Sequence, residues 1–276
     1  MIRSAITLSL VPEARGGPFV FCDDLAAGCA QAAALGFDAV EVFPESGNAI
    51  PLSAIKAELE KNNLKLAAVG TGAGWVKHGL RLTDPDPAVR VRAREFVLGV
   101  INFAGFCGAP TIVGSMQGRW DDGRAAAGRE QSLDWLAEEL RARAERSAAH
   151  GQVLLYEPLN RYETNLFNRA AAAATFLDRH QLPHVKLLCD LFHMNIEEAD
   201  IPAALRQVAP RLGHIHFADS NRRAIGMGHT DVAPIAQALR DMGYRGYLSA
   251  EILPLPDAAT AAQQTITSFR QFFHRP

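Results

Sequence analysis

"LLYEPLNRYETN", residues 154–165, runs from apolar residues straight into Glu157 and reaches a second glutamate, Glu163, six positions later. With Val153 the run "VLLYE" (153–157) is too short and too continuously apolar for a surface element, so it predicts a parallel strand buried on both faces. A carboxylate ending such a strand is costly unless something compensates it. Working outward, seven other stretches have the same character. They are "AITLSLV" (5–11), "AVEVF" (39–43), "KLAAVGT" (65–71), "TIVGS" (111–115), "VKLLCD" (185–190), "GHIHFAD" (213–219) and "YLSAEI" (247–252).

Helical spacing fills the intervals. In 129–148, Leu133, Leu136 and Leu140 share one face, and Gly151 follows the end. In 86–104, Asp86-Pro87 supplies a cap and a first-turn proline ahead of Phe96, Val97, Val100 and Ile101. In 231–242, Asp231 is placed to cap, Gly243 to stop the helix, and Ile235, Leu239 and Met242 form the apolar stripe. Segments 23–35, 51–62, 168–180, 200–208 and 257–273 complete eight strand–helix units. Eight regular alternations in 276 residues predict an α/β fold, a single-domain (β/α)8 TIM barrel spanning residues 1–276. A doubly wound open sheet is the competitor. No GxGxxG fingerprint follows the first strand, which argues against a dinucleotide site and an organic cofactor.

Composition narrows the function classes. The chain is 48% hydrophobic and 21% charged, with net charge −2, so no overall positive field draws it to nucleic acid or to an anionic membrane. Cys22, Cys29, Cys107 and Cys189 form no CxxC pair and no zinc spacing, which predicts reduced thiols in a cytoplasmic protein. Arg3 followed by "AITLSLVP" faintly resembles a secretion signal, but the run is short and no cleavage site follows; a first core strand is the better reading. No stretch approaches the ~20 apolar residues that cross a bilayer. A homo-oligomer is left open.

Active sites of such barrels sit at the carboxyl ends of the strands. Strand five ends at Glu157, strand six at Asp190, strand seven carries His216 and strand eight carries Glu251. Leu155, Leu188, His214 and Ser249 lie two positions earlier, on the same face. Four adjacent strands thus aim three carboxylates and an imidazole at one place. Like charges so close would force protonation, and a divalent cation resolves the conflict. An oxygen-rich set with one nitrogen suits Mn²⁺, Mg²⁺ or Co²⁺. Singly, each residue is as well explained as a cap, an ion-pair partner or a core histidine; the joint pattern is what carries weight. Glu163, His193 and Arg222 fall in the loops above, where surface ion pairs are the plain alternative.

Four stretches, "EPLNRYETN" (157–165), "CDLFHMNIEE" (189–198), "HIHFADSNRRAIGMGHTD" (214–231) and "YLSAEI" (247–252), resemble the xylose-isomerase-like TIM-barrel sugar isomerases and epimerases, and within them the D-tagatose/D-psicose ketose 3-epimerases. The resemblance covers the second half well and the first half mainly in its barrel pattern. It implies that Glu157, Asp190, His216 and Glu251 ligate a divalent metal, usually manganese. It further implies that Glu157 and Glu251 double as the acid/base pair, and that Glu163, His193 and Arg222 hold oxygens of a small-molecule sugar.

Several loops depart from the family. "GTGAGWVKHGLRLTDPDP" (70–87) offers Trp75 and His78, "SMQGRWDDGR" (115–124) offers Trp120, and "VPEARGGPFVF" (11–21) offers Phe19 and Phe21 as pocket wall or packing. The "GMGH" turn (226–229) is a weak candidate anion cradle. Alternatives to epimerisation are aldose–ketose isomerisation, β-elimination from a keto-sugar or 3-keto-glycoside on the same site, an endonuclease IV-like nuclease, which would need more histidines and a basic face, and a non-catalytic sugar-binding protein.

Overall fold

The computed structural model describes residues 1–121 and 128–273; the end of the 115–124 loop lies outside them. Eight parallel strands form the barrel: β1 (Arg3–Ser9), β2 (Ala39–Phe43), β3 (Lys65–Gly70), β4 (Thr111–Val113), β5 (Leu154–Tyr156), β6 (Val185–Asp190), β7 (Leu212–His216) and β8 (Tyr247–Ala250). Each pairs with the next, and β1 closes on β8 in a register running from Arg3–Tyr247 to Ile6–Ala250. A two-residue strand, Phe21–Cys22, lies against Leu8 and Ser9 of β1.

The helices are α1 (Leu25–Leu35), α2 (Leu52–Lys61), α3 (Ala73–Val76), α4 (Pro87–Phe106), α5 (Gly128–Ala149), α6 (Ala170–Arg179), α7 (Leu191–Glu197), α8 (Ile201–Gln207), α9 (Val232–Asp241) and α10 (Ala258–Phe273). Eight match the expected segments, while the short α3 and α7 were not expected from periodicity. Asp86 caps α4 by accepting from the Ala88 amide, as its position suggested. Asp231 stands at the start of α9 but makes no side-chain cap bond, which corrects that expectation. Among the described residues, no helix is long and apolar enough to cross a membrane.

Strand alternation sorts the side chains. Ile6, Leu8, Val40, Val42, Leu154, Tyr156, Leu187, Ile215 and Leu248 face the helices in the main core. Inside the barrel, Ala5, Ala39 and Ala67 form a tight floor. Ala68, Ile112, Leu155 and Leu188 pack as a second apolar cluster. Two residues further along four of these strands the inward side chain becomes polar: Ala5 gives way to Thr7, Ala39 to Glu41, Leu155 to Glu157 and Leu188 to Asp190, all of them buried. The apolar floor supports a polar mouth, and parallel pairing sets all eight strand ends on one side.

Candidate active site

Glu157 follows the last residue of β5, and its backbone is pinned from below. The Gln117 amide donates to the Glu157 and Gly114 carbonyls at 2.9 and 3.0 Å, and the Tyr156 hydroxyl donates to the Gln117 side-chain oxygen. A glycine is required next door. A Cβ at Gly114 would stand 2.5 Å from Glu157 Oε2. Gly114→Ala is therefore expected to swing the carboxylate away and cut kcat by about 10²-fold, since a misplacement near 1 Å costs that much. An unchanged kcat in a folded Gly114→Ala protein would contradict this.

Asp190 ends β6 and serves two neighbours at once. Its Oδ1 accepts from the Phe192 amide at 2.7 Å, capping α7, which leaves Oδ2 aimed into the mouth. That cap explains why a short helix starts where periodicity gave no signal. His216, at the end of β7, holds Nδ1 3.6 Å from Glu157 Oε1 and 3.6 Å from Asp190 Oδ2. Glu251, just past β8, lies 3.8 Å from the same nitrogen through Oε2. Glu157 Oε1, Asp190 Oδ2 and His216 Nδ1 are buried without any hydrogen-bond partner. Such atoms are expensive to leave unpaired, and three of them converging mark a place built for a charge.

A divalent cation fits that place. With metal–ligand bonds near 2.1 Å, ligand atoms at right angles stand about 3 Å apart and opposite ones about 4 Å. The observed separations of 3.6–3.8 Å fall between. Glu157, Asp190 and His216 therefore form a group that could hold a metal. The electrostatics agree. Burial pushes the Glu157 carboxyl well above the usual carboxylate range, and the Glu251 and Asp190 charges push it the same way against His216 and Arg222.

The second group that could hold a metal, Glu41 with His214 and His216, is of a different kind. Glu41 Oε2 meets His214 Nε2 at 2.8 Å and Oε1 meets His216 Nε2 at 3.0 Å. These are direct hydrogen-bond lengths, with both carboxylate oxygens used.

Above the mouth, His193 on α7 directs Nε2 to within 3.6 Å of Asp190 Oδ2 and 3.8 Å of Glu157 Oε1. Its Nδ1 takes the Asn160 side-chain amide at 2.8 Å, so Nε2 carries the proton. Asn160 also donates to Glu163 Oε1 at 3.0 Å. Arg222 bridges the rim: it pairs with Glu251, stands 3.6 Å from Glu163 Oε1, and lies over the Phe192 ring at 4.9 Å. Its φ of +59° is strained for a side-chain-bearing residue, and it is imposed by the loop that follows β7.

Asp219 organises that loop. Its carboxylate accepts from the amides of Ser220, Gly226, Gly228 and Thr230 at 2.7–3.0 Å. The "GMGH" turn therefore wraps the protein's own carboxylate, which corrects its reading as a cradle for an outside anion. Asp219→Asn is expected to cost about 1.5–3 kcal/mol, the worth of a charged hydrogen-bond acceptor, and to lower the melting temperature. Burial works against the Asp219 charge, but hydrogen bonds from the Thr230, Ser220 and Gly228 amides and the Thr230 side chain outweigh it and hold its pKa below the ordinary value. Its contribution is complete above the unfolded value of about 3.9 and is lost as pH falls through the lower folded value. A melting curve for Asp219→Asn superposable on wild type at pH 7 would refute the role.

A cavity at the mouth is lined by Thr7, Phe19, Glu41, Phe43, Gly114, Glu157, His216 and Glu251, among others. Of the aromatic candidates only Phe19 lines it, tilted against Phe43 at 4.8 Å. Phe21 is core packing. Trp75, His78 and Trp120 are not among the residues that line this cavity. The α3 turn presents Trp75 to Arg81 at 5.1 Å, His78 lies edge-on to Phe96 at 6.1 Å, and the Trp120 backbone is held by Asn165. Gly70 and Gly72 make room for the Phe43 ring, which a Cβ at either position would meet at 2.9 or 2.6 Å. Glu41, Asn160 and Phe43 were missed, and His214 was placed on the inner face without a role. Glu41 had a legible signal, an acid at an inward position of the apolar strand "AVEVF".

The profile of the xylose isomerase-like TIM barrels matches residues 29–271, nearly the whole barrel. The chain belongs to this family. It is 32% identical over 220 residues to a D-psicose 3-epimerase from Ruminiclostridium cellulolyticum, covering 78% of this chain and 73% of that one. A 3-dehydro-D-guloside 4-epimerase from Escherichia coli is 36% identical over 113 residues, a local match covering 41% of this chain and 43% of that one. The barrel superposes on the crystal structure of a 3-keto-D-glucoside 4-epimerase from E. coli with a TM-score of 0.83, at 21% identity over 98% of this chain and 100% of the other. Family and relatives bear out the expected enzyme class, the sugar epimerases and isomerases, and the expected barrel.

Proposed function

We propose that this xylose isomerase-like barrel is a divalent-metal-dependent ketose 3-epimerase, with Mn²⁺ as the resident ion and a free ketose as substrate. The convergence of unpartnered Glu157 Oε1, Asp190 Oδ2 and His216 Nδ1 beside Glu251 carries the reading. Glu157, Asp190, His216 and Glu251 would hold the ion. When bound, it would lower the pKa of the sugar carbon next to the ketone by stabilising negative charge on the neighbouring oxygens. Glu157 and Glu251 approach from different strands, so one takes the C3 proton and the other returns a proton from the opposite face, inverting the centre. The His193 Nε2–H and the Arg222 guanidinium donate to sugar oxygens, and Glu163 accepts from a hydroxyl while steadying Arg222. We read residues 1–276 as one catalytic domain in the cytoplasm, with reduced cysteines; burial holds the Cys29 thiol up at about 11.

The test is incubation with Mn²⁺ and a panel of ketohexoses and ketopentoses in D₂O. Inverted product carrying deuterium at C3 supports the assignment. Deuterium at C1 or C2 with an aldose product points instead to isomerisation. A second reading, epimerisation at C4 of a 3-keto-glycoside, is favoured by the local 36% identity to the E. coli 3-dehydro-D-guloside enzyme. It uses the same acids, because C4 also neighbours the ketone. Turnover of 3-keto-glycosides with deuterium at C4, and none of free ketoses, would select it. Loss of water or an aglycone would identify a lyase.

A further inference from the structure

The hydrogen bonds of Glu41 do more than satisfy a buried acid. His214 and His216 sit two apart on β7, so both imidazoles face inward, and both present Nε2 to the one carboxylate on β2. An ionised carboxylate accepts and cannot donate, so each Nε2 it bonds must carry hydrogen. For His216 that leaves the lone pair on Nδ1, the buried, unpartnered nitrogen facing Glu157, Asp190 and Glu251. We infer that Glu41 is a positioning residue for the metal centre: it fixes the His216 tautomer and ring orientation that make Nδ1 a ligand. Carboxylate–histidine–metal arrangements of this kind raise the basicity of the ligating nitrogen.

Several features suit the task. Glu41 is buried in a strand pair across the barrel from β5 and β6, so its position is set by barrel closure rather than by a mobile loop. His214 occupies the second oxygen, which keeps the carboxylate plane from turning away from His216. Packing alone would not require a carboxylate with two imidazoles at this depth, where a charge without a purpose is a burden.

The inference rests on the metal site proposed above, and the experiment separates the two. Mn²⁺ affinity is measured by titration calorimetry for wild type, Asp190→Asn and Glu41→Gln, with the melting temperature of each metal-free protein alongside. Glu41→Gln keeps the size but has one oxygen and an NH₂, so it cannot accept from both rings; a 10- to 100-fold weaker Mn²⁺ affinity is expected. Asp190→Asn weakens binding if the metal site is right. If wild type takes no Mn²⁺, or Asp190→Asn binds as wild type does, the metal reading falls. If Asp190→Asn loses affinity while folded Glu41→Gln keeps it, only the Glu41 role falls. A purely structural Glu41 would lower the melting temperature and leave affinity unchanged. Should Glu41→Gln not fold, Glu41→Asp withdraws the carboxylate by one methylene and carries the same expected loss. In Mg²⁺-loaded wild type, nitrogen NMR should find the His216 proton on Nε2; a proton on Nδ1 would overturn the assignment.

Discussion

Replacing Glu157 or Glu251 by Gln is expected to cut epimerisation by about 10²–10⁴-fold while the barrel stays folded. Gln preserves volume in both places, and the contacts that hold the Glu157 segment run through backbone carbonyls and Gln117, not through the carboxylate. What disappears is a proton carrier on one face of the sugar. With the remaining acid intact and Mn²⁺ in excess, each variant should still exchange hydrogen for deuterium on its own face. Each should therefore label one of the two epimers of the substrate without converting it to the other. The two variants should label opposite epimers. That pattern, read by NMR of recovered sugar, distinguishes two acids on opposite faces from one acid that turns around. Near-wild-type turnover in either variant would sink the two-acid mechanism. Glu251→Gln has an added consequence, since Arg222 loses its nearest charged partner at the rim and keeps the more distant Glu163. A raised KM is expected there beyond the loss in kcat.

Removal of the divalent ion should have an effect as large. Chelation is expected to abolish activity, and Mn²⁺ should restore it. Asp190→Asn and His216→Asn should each weaken binding enough that activity returns only at much higher metal concentration. The thermal signature is separable from the chemistry. An ion binding only the folded state at 100 times its Kd adds about 2.7 kcal/mol. For a chain of this size that raises the melting temperature by roughly 5–10 °C. The cause is the carboxylate cluster: Glu157, Asp190 and Glu251 gather around one imidazole nitrogen, and a cation relieves their repulsion. A melting temperature that ignores Mn²⁺ in wild type would remove the basis for both large predictions. Asp190→Asn adds an internal control, because an Asn side-chain oxygen can still cap α7. Its loss of affinity should therefore come without collapse of the helix that bears His193.

The extent to which the sequence disclosed this site follows from periodicity. Strand alternation has a fixed period of two, so a short apolar run tells which residues share the inner face, and Glu157, Asp190, His216 and Glu251 could be picked out before any coordinates. Helix caps with local chemistry, such as Asp86 on α4, were equally open to reading; Asp231 shows that a capping residue in the right place need not bond. Aromatic residues in loops are where local pattern says least. The direction in which Trp75, His78 and Trp120 face depends on the short α3 turn and on contacts with Arg81, Phe96 and Asn165, none of which leaves a periodic trace.

By itself, then, the order of residues determined the eight-unit barrel and the strand ends that carry acids and an imidazole, because each of those properties is written within a few neighbouring positions. Only closure of the barrel decided which distant groups meet. Glu41 reaches His216 across 175 positions of chain, Asp190 splits its two oxygens between a helix cap and the mouth, and the glycine turn folds back on Asp219. Hydrogen bonds form between groups near in space, and nearness across that much chain is settled by strand register and loop packing, which no local pattern encodes.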